Sequence, residues 1–375
     1  MMARNENTGR VFVGQMVPPE FVVKYKISQA GSLFCYRIAA TGAFDRVISL
    51  VSVNVQDDIG SQLPKNDGVG YVQYRRFHIQ KLGRFLNNWV ESIRVIRQAR
   101  RAKRVWFYNI NASLFLSWFI LKYLYFKKVY VLLADFSPPA RRCDLRRLWG
   151  WAIRHSNGVL SLSSRIACMN RNSRSLAGII PDSELDQTYQ GPAEQDKRYF
   201  LFSGTLGPVT GVSRALKVFS ELPDIPLVVT GNDASGVVAS YAARYSNIRY
   251  LGMLKLEEYR KVLQGADFCL NFRDPELPEN RNNFPSKLLE YLACGKLAVS
   301  TMCYPELPEE LIYGFGNDDA ELSKKIREFY EMPSAEIEKI REHNRAYLRT
   351  FSYAAWCEKF VIVENLNKDG KNAVP

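Results

Sequence analysis

The sequence predicts an α/β protein made of two doubly wound, Rossmann-like domains. Three observations predict it. Apolar strand-like runs alternate with helix-length amphipathic segments in two successive series. A polar stretch broken by Gly178, Pro181, Gly191 and Pro192 separates the series. A chain of 375 residues with 47% apolar content can bury more than one core, at about 150 residues per domain.

In the first series, residues 10–17 (RVFVGQMV) read as a short buried strand that Pro18 and Pro19 end. A helical pattern over 28–40 comes next, with Ser28 placed as its N-cap. Strands are predicted at 46–55, 105–110, 129–134 and 159–163, and helices at 79–104, 112–128 and 140–155. The second series opens with YFLFS at 199–203. Strands at 226–230, 248–251, 268–272 and 297–301 alternate there with helices at 212–221, 235–244, 256–264 and 285–293. Three helical stretches starting near 319, 333 and 352 finish the chain. The predicted division is therefore a first domain at 1–180, a linker at 181–198, a second domain at 199–351, and a final helix and tail at 352–375.

Seven scattered cysteines without a CxxC argue against a disulfide framework and for a reducing compartment. Three histidines, none at ligand spacing, argue against a metal site. The N-terminus has no apolar stretch behind its charge and does not read as a signal peptide. The most apolar helical segment, 112–126, is too short for a span of about 20 residues and carries Lys122.

The net charge of +13 is unevenly placed. Residues 1–198 hold 30 Lys and Arg against 14 Asp and Glu, whereas 199–375 hold 21 against 24. One half is built to meet an anionic surface. The basic excess concentrates at 94–104 and 141–154, among or beside Trp89, Trp106, Trp118, Tyr123, Tyr125, Phe126, Trp149 and Trp151. On helices this mixture suits an anionic membrane surface. Two other readings stand beside it: a nucleic-acid backbone, and solvated basic faces over buried aromatics. The charge asymmetry disfavours nucleic acid.

The most informative segment is 269–300, CLNFRDPELPENRNNFPSKLLEYLACGKLAVS. Pro285 is placed at the first position of a helix after an Asn-rich loop. The free N–H groups of Ser286 and Lys287 then form an anion site, to which Lys287 adds a full charge. Glu290, one turn further, can accept two hydrogen bonds from a ribose diol. Gly295 ends the helix in a left-handed cap. The plainer alternative is an amphipathic helix with one solvated Glu. Open α/β sheets bind ligands at the carboxyl ends of their strands, so the architecture suggests a nucleotide-dependent transferase, although fold does not fix function.

Asp135 comes directly after the strand at 129–134 and is expected to face that crevice. It is placed to orient a hydroxyl or act as a base, or else to cap the helix after it. Gly14 and Gln15 at the end of the first strand, and Gln29 to Ser32, are expected to line the acceptor side. Gly14 is a single glycine rather than a GxGxxG, so a dinucleotide site is poorly supported.

From 199 to 360 the sequence resembles glycosyltransferase family 4, the "glycosyl transferases group 1" domain. LFSGTLG at 201–207 is similar to the Gly-ended strand that opens the family's second domain. IRYLGML at 248–254 resembles its V-x-x-x-G strand, GADFCLNFR at 265–273 its A-D strand, and 282–290 its E-x7-E helix. The first half resembles the family only in strand–helix order. N-x-R followed by N-x-FPSK-x-x-EYLA-x-G is similar to a polysaccharide-assembly branch.

The resemblance implies the GT-B fold: two Rossmann-like domains facing a cleft, with a C-terminal helix crossing back to the first. It implies a retaining, metal-independent hexosyltransferase with no cofactor beyond its nucleoside-diphosphate-sugar donor. The acceptor would be a saccharide, lipid-linked, in bacterial capsule, exopolysaccharide or lipopolysaccharide O-antigen synthesis. The enzyme would be cytoplasmic and peripheral on the inner face of the plasma membrane. By residue, it implies Glu290 as ribose ligand, Ser286 and Lys287 at the diphosphate, and Gly204, Thr205 and Gly207 as the loop facing the phosphates. Met253 or Leu254 would pack on the base, and Asp135 would replace a polar residue, often His, beside the reacting sugar.

Departures from the pattern are informative. Asn282 stands where the first Glu of E-x7-E is usual, beside the donor sugar. Thr205 and Thr210 replace an Arg and a Lys, so phosphate charge falls to Lys287 and Arg273, then to Arg281. For Arg273 a surface arginine is the alternative. Two rival functions share the fold: a nucleotide-sugar epimerase and a catalytically silent scaffold.

Overall fold

The structure is a computed structural model that describes residues 9–18, 21, 29–51, 63–64, 68–73, 80–136, 139, 144–167, 170–185, 198–308, 312–314 and 318–369. It divides into two compact units, Met1–Ile179 with Tyr353–Pro375, and Ile180–Ser352.

The first unit holds a parallel seven-stranded sheet. Its strands are β1 (Arg10–Gly14), β2 (Arg46–Val51), β3 (Val69–Gln73), β4 (Arg104–Tyr108), β5 (Lys128–Leu133), β6 (Gly158–Ser161) and β7 (Ser173–Ser175). They lie in the order β3-β2-β1-β4-β5-β6-β7. The order reverses direction between β1 and β4, the switch point where doubly wound sheets bind ligands. β1, β4 and β5 are nearly continuous apolar runs because helices cover both faces. Register pairs Val13 with Phe107 and Phe107 with Val131, which brings Gly14, Tyr108 and Leu133 to one sheet edge.

The Ala112–Tyr123 helix shows why its residues fold so. Asn111 caps it, its side chain accepting from the N–H groups of Ser113 and Leu114. Leu114, Ser117, Trp118 and Leu121 form the buried stripe at helical spacing. The sequence pattern carries this helix to residue 128; it stops at Tyr123 because Lys128 already belongs to β5. Trp106 and Trp118 are fully buried, on β4 and on the helix's inner face, so they are core rather than part of a surface aromatic belt. Among the described residues no helix is long and apolar enough to cross a membrane.

The last helix, Tyr353–Asp369, belongs to the first unit. Its buried Glu364 accepts from Arg10 Nε at 2.9 Å and Nη2 at 2.7 Å, and from the Trp106 indole at 2.9 Å. Arg104 adds a further contact at 3.2 Å. Phe360 packs on Phe44 and Trp106, and the Trp356 indole donates to the Gly178 carbonyl. An ion cluster and an aromatic cluster thus fix the chain's end to β1 and β4.

The second unit holds a parallel six-stranded sheet. Its strands are β8 (Phe200–Thr205), β9 (Leu227–Asn232), β10 (Ile248–Tyr250), β11 (Phe268–Asn271), β12 (Leu297–Ser300) and β13 (Ile312–Gly314). They lie in the order β10-β9-β8-β11-β12-β13. Phe200 stacks on Phe268 at 4.6 Å and meets Phe219 edge-on at the centre of the core.

Several short elements differ from the sequence reading. β3, β7 and β13 are absent from it, being three to five residues long without strong flanking signals. The Asn-rich loop contains a one-turn helix, Pro278–Asn282. The helix predicted from 140 begins at Arg146, with 140–143 outside the described residues. Ser28, Pro19 and most of the predicted linker, 186–197, also lie outside them.

Candidate functional site

The second unit's site starts at the end of β8. Gly204 has φ +125° and is paired in register with Gly231, φ +148°. A Cβ on Gly231 would sit 2.0 Å from the Gly204 carbonyl oxygen, so the two strands approach this closely only because Gly231 carries no side chain. Above Gly204 and Gly207 a Cβ would meet no atom within 4 Å, leaving this backbone open to a ligand. The loop is shaped by Thr210, whose hydroxyl lies 2.7 Å from the Thr205 carbonyl and 2.8 Å from that of Gly207. Thr210 uses its polar group on the loop itself, while Thr205 is exposed.

The expected donor helix is Ser286–Ala293. Pro285 is its N-cap rather than its first residue, because ψ 105° is an extended, non-helical value. Leu288 N–H bonds the Pro285 carbonyl at 3.0 Å, so Ser286 and Lys287 keep the end-of-helix N–H groups. Leu288, Leu289, Tyr291 and Leu292 are buried and anchor the helix on the sheet.

One turn in, Lys287 Nζ lies 2.7 Å from Glu290 Oε2. Tyr259, from the Leu256–Gly265 helix, joins them. Its hydroxyl donates to Glu290 at 3.1 Å and accepts from Lys287 at 2.9 Å, while its ring centroid lies 4.1 Å from the ammonium. The same hydroxyl is 3.3 Å from Ser203 Oγ, which in turn lies 2.9 Å from the Tyr291 hydroxyl. Ser203 directly precedes Gly204, so this chain of polar contacts ties the glycine loop to the helix. Burial first, and then Glu290, pushes the Tyr259 phenol well above its ordinary value and keeps it a donor.

Arg273 is held by Asn280, whose carbonyl accepts from its guanidinium at 3.2 Å. Asn280 is fully buried and also donates to the carbonyls of Val209 and Asp274. One amide therefore links Arg273 to the loop after β8. Arg281 turns away: it is exposed and bonded to Glu276 and the Pro275 carbonyl. Asn282 is half-buried at the end of the one-turn helix, separate from the helix of Glu290. Leu254 is half-buried and Met253 is 59% exposed, both beyond the end of β10.

Tyr259, Ser203 and Asn280 escape the sequence reading. Tyr259 and Leu263 are the buried pair of their helix at i,i+4 and read as core. Asn280 has a visible signal, a polar residue between Pro278 and Arg281, but nothing in the pattern marks it as buried.

In the first unit, the edge of the sheet carries Gly14, Gln15 and Asp135. Asp135 is exposed, and its N–H and that of Ala134 face Asn109 Oδ1, with Asn109 at φ 54°. Among the described residues the next helix is Arg146–His155 with Leu145 as its N-cap, so Asp135 does not cap it. The buried Tyr108 hydroxyl is pushed well up by burial and then by Cys35 and Asp135. Burial pushes the Cys35 thiol up to about 12, partly offset by the Gln15 backbone. Ser32 is buried, accepting from Val17 N–H at 2.8 Å and donating to its carbonyl. It braces the segment after β1 instead of facing outward. Gln29 opens the Gln29–Ala40 helix, its side chain outside the described residues.

Residues 212–361 match the family model described as "Glycosyl transferase-like". No curated protein matches the chain in sequence. Among solved structures, Anabaena HepE in complex with UDP aligns at TM-score 0.69 and 13% identity, covering 96% of this chain and 99% of that one. The N-terminal domain of Candida albicans trehalose-6-phosphate phosphatase aligns at 0.71 and 12%, covering 98% and 99%. The lipopolysaccharide outer core galactosyltransferase WaaB aligns at 0.60 and 13%, covering 94% and 98%. Residues 212–361 are thus similar to the glycosyl transferase-like family, and the chain as a whole has the GT-B fold.

Proposed function

We propose that this protein transfers a sugar from a nucleoside-diphosphate sugar to a saccharide acceptor, with retention of anomeric configuration. The observation that carries the proposal is the Lys287–Glu290 pair at the start of the Ser286–Ala293 helix, tied through Tyr259 and Ser203 to the open glycine loop. An anion site and a diol acceptor one helical turn apart match the diphosphate and ribose of such a donor. The solved complex of HepE with UDP supports this reading.

In this account Glu290 accepts from the ribose hydroxyls. Lys287, Arg273 and the N–H groups of Ser286 and Lys287 stabilise the leaving diphosphate, as fixed charges and dipoles aimed where negative charge develops. Leu254 and Met253 pack on the base. The departing phosphate takes the acceptor proton on the same face, which preserves configuration, while Asp135 orients the acceptor hydroxyl. The donor is the only small molecule this chemistry needs, with no metal carrying the phosphate charge.

The acceptor is proposed to be a lipid-linked saccharide of a bacterial surface polysaccharide, met at the inner membrane face. What supports this is the first unit's helical surface. In the first unit Trp89, Leu124 and Tyr125 are exposed and Phe126 is 84% exposed, and Arg97, Arg100, Arg101, Lys128, Arg147 and Arg154 are exposed as well. The likeness to WaaB, a lipopolysaccharide outer core galactosyltransferase, agrees with it.

The test is incubation with UDP-, GDP-, ADP- and dTDP-sugars and a lipid-linked acceptor mixture, with products read by mass spectrometry. Transfer, or slow donor hydrolysis, supports the reading. Asn282 in place of a carboxylate favours one second reading, a scaffold that binds donor without turnover. Saturable binding with no transfer or hydrolysis would select it.

A further inference from the structure

Resting on the donor pocket just proposed, we infer that Tyr259 is the positioning residue that presents Glu290 to the ribose. Its hydroxyl occupies a place no other described side chain fills. It accepts from Lys287 at 2.9 Å, donates to Glu290 at 3.1 Å and lies 3.3 Å from Ser203 Oγ. Tyr259 is 9% exposed, so its ring is fixed by packing beneath the Lys287 ammonium while its hydroxyl meets the site's polar groups.

The geometry sets an order of events. With the pocket empty, Lys287 and Glu290 neutralise each other at 2.7 Å. A diphosphate draws the Lys287 ammonium towards itself and leaves Glu290 short of one partner. The phenol stays, because the ring cannot move and its burial keeps the proton on oxygen. Its O–H then holds one carboxylate oxygen, and the rest of the carboxylate's lone pairs face the diol. Without that bond Glu290 would have to be ordered by the ligand itself, which lowers the ligand's affinity.

The variant Tyr259→Phe isolates the hydroxyl. It keeps the ring under Lys287 and its packing, and Ser203 retains its bond to Tyr291. The probes are UDP, GDP, ADP and CDP, and the 2′,3′-dideoxy counterpart of whichever binds wild type most tightly, titrated calorimetrically. The expected result is a roughly fivefold to tenfold loss for the ribonucleotide in Tyr259→Phe, with the dideoxy ligand changed by less than about twofold. Equal affinity of wild type and variant for the ribonucleotide overturns the inference alone. So does an equal loss on both ligands, which would mean Tyr259 acts through Lys287 or the fold. A wild type that binds none of the four, or binds ribo- and dideoxy forms alike, overturns the donor-pocket reading and this inference with it.

Discussion

The ammonium of Lys287 lies 2.7 Å from the carboxylate of Glu290, three residues further along the same helix. With 37% and 23% of these side chains exposed, water screens the pair, and it is worth at most about 1 kcal/mol to the fold. Its place is explained by what each charge meets when a ligand arrives. Lys287→Ala is therefore expected to leave the melting temperature nearly unchanged and to weaken nucleoside-diphosphate binding by about tenfold or more. Thermal unfolding and calorimetric titration of the same sample check both halves.

Glu364 is a different kind of ion pair. It is buried and answers both Arg10 and Arg104. Glu364→Gln leaves the buried Arg10 guanidinium at the base of β1 without its carboxylate, and a loss of about 3–5 kcal/mol is expected. All six tryptophans lie in the first unit, so urea unfolding monitored by tryptophan fluorescence reports this unit directly.

Glu91 gives a pH-dependent prediction. It is 2% exposed, and among the described residues neither carboxylate oxygen makes a well-formed hydrogen bond. Burial raises its pKa from 4.5, opposed by the nearby Ser113 side chain and then by Arg94. For an acid raised in the folded state, the fold favours the protonated form. Stability from this group is complete below about 4.5 and is lost as pH rises through the raised value. Glu91→Gln should thus stabilise the first unit at pH 7.5, and its advantage should shrink as pH is lowered towards 4.5. The same fluorescence-detected unfolding at several pH values checks it; a constant difference would contradict it.

Gly231 is a backbone requirement. Its φ of +148° and a Cβ position 2.0 Å from the Gly204 carbonyl leave no room for a methyl group. Gly231→Ala should push the end of β9 from β8, cost about 2–4 kcal/mol, and disturb the glycine loop. Lower thermal stability together with weakened nucleotide binding is expected, whereas Gly207→Ala, with open space and an ordinary backbone, should keep its stability.

The parts legible in the sequence are those written in local patterns. β1, β4, β5, β8 and β11 are apolar runs that need buried parallel strands, and Lys287 and Glu290 are separated by one helical turn. The illegible parts depend on distance in space. Glu364 lies 354 residues from Arg10, and no periodicity links them. Tyr259 is 31 residues from Glu290 and carries the spacing of a core residue; only the fold turns its hydroxyl onto the site. Trp106 and Trp118 sit among basic residues in the chain, yet the central strand and the inner helix face bury them. The one-residue shift at Pro285 has a similar origin, since the pyrrolidine ring fixes φ and leaves ψ to the surrounding packing.

The central claim is that Glu290 holds the ribose of a nucleoside diphosphate beside Lys287. Calorimetric titration of wild type and Glu290→Ala with the tightest-binding of UDP, GDP, ADP and CDP tests it most directly. The account predicts saturable wild-type binding and a loss of at least about tenfold in the variant, as expected for charge-assisted hydrogen bonds. Equal affinity of the two proteins for that nucleotide would contradict it.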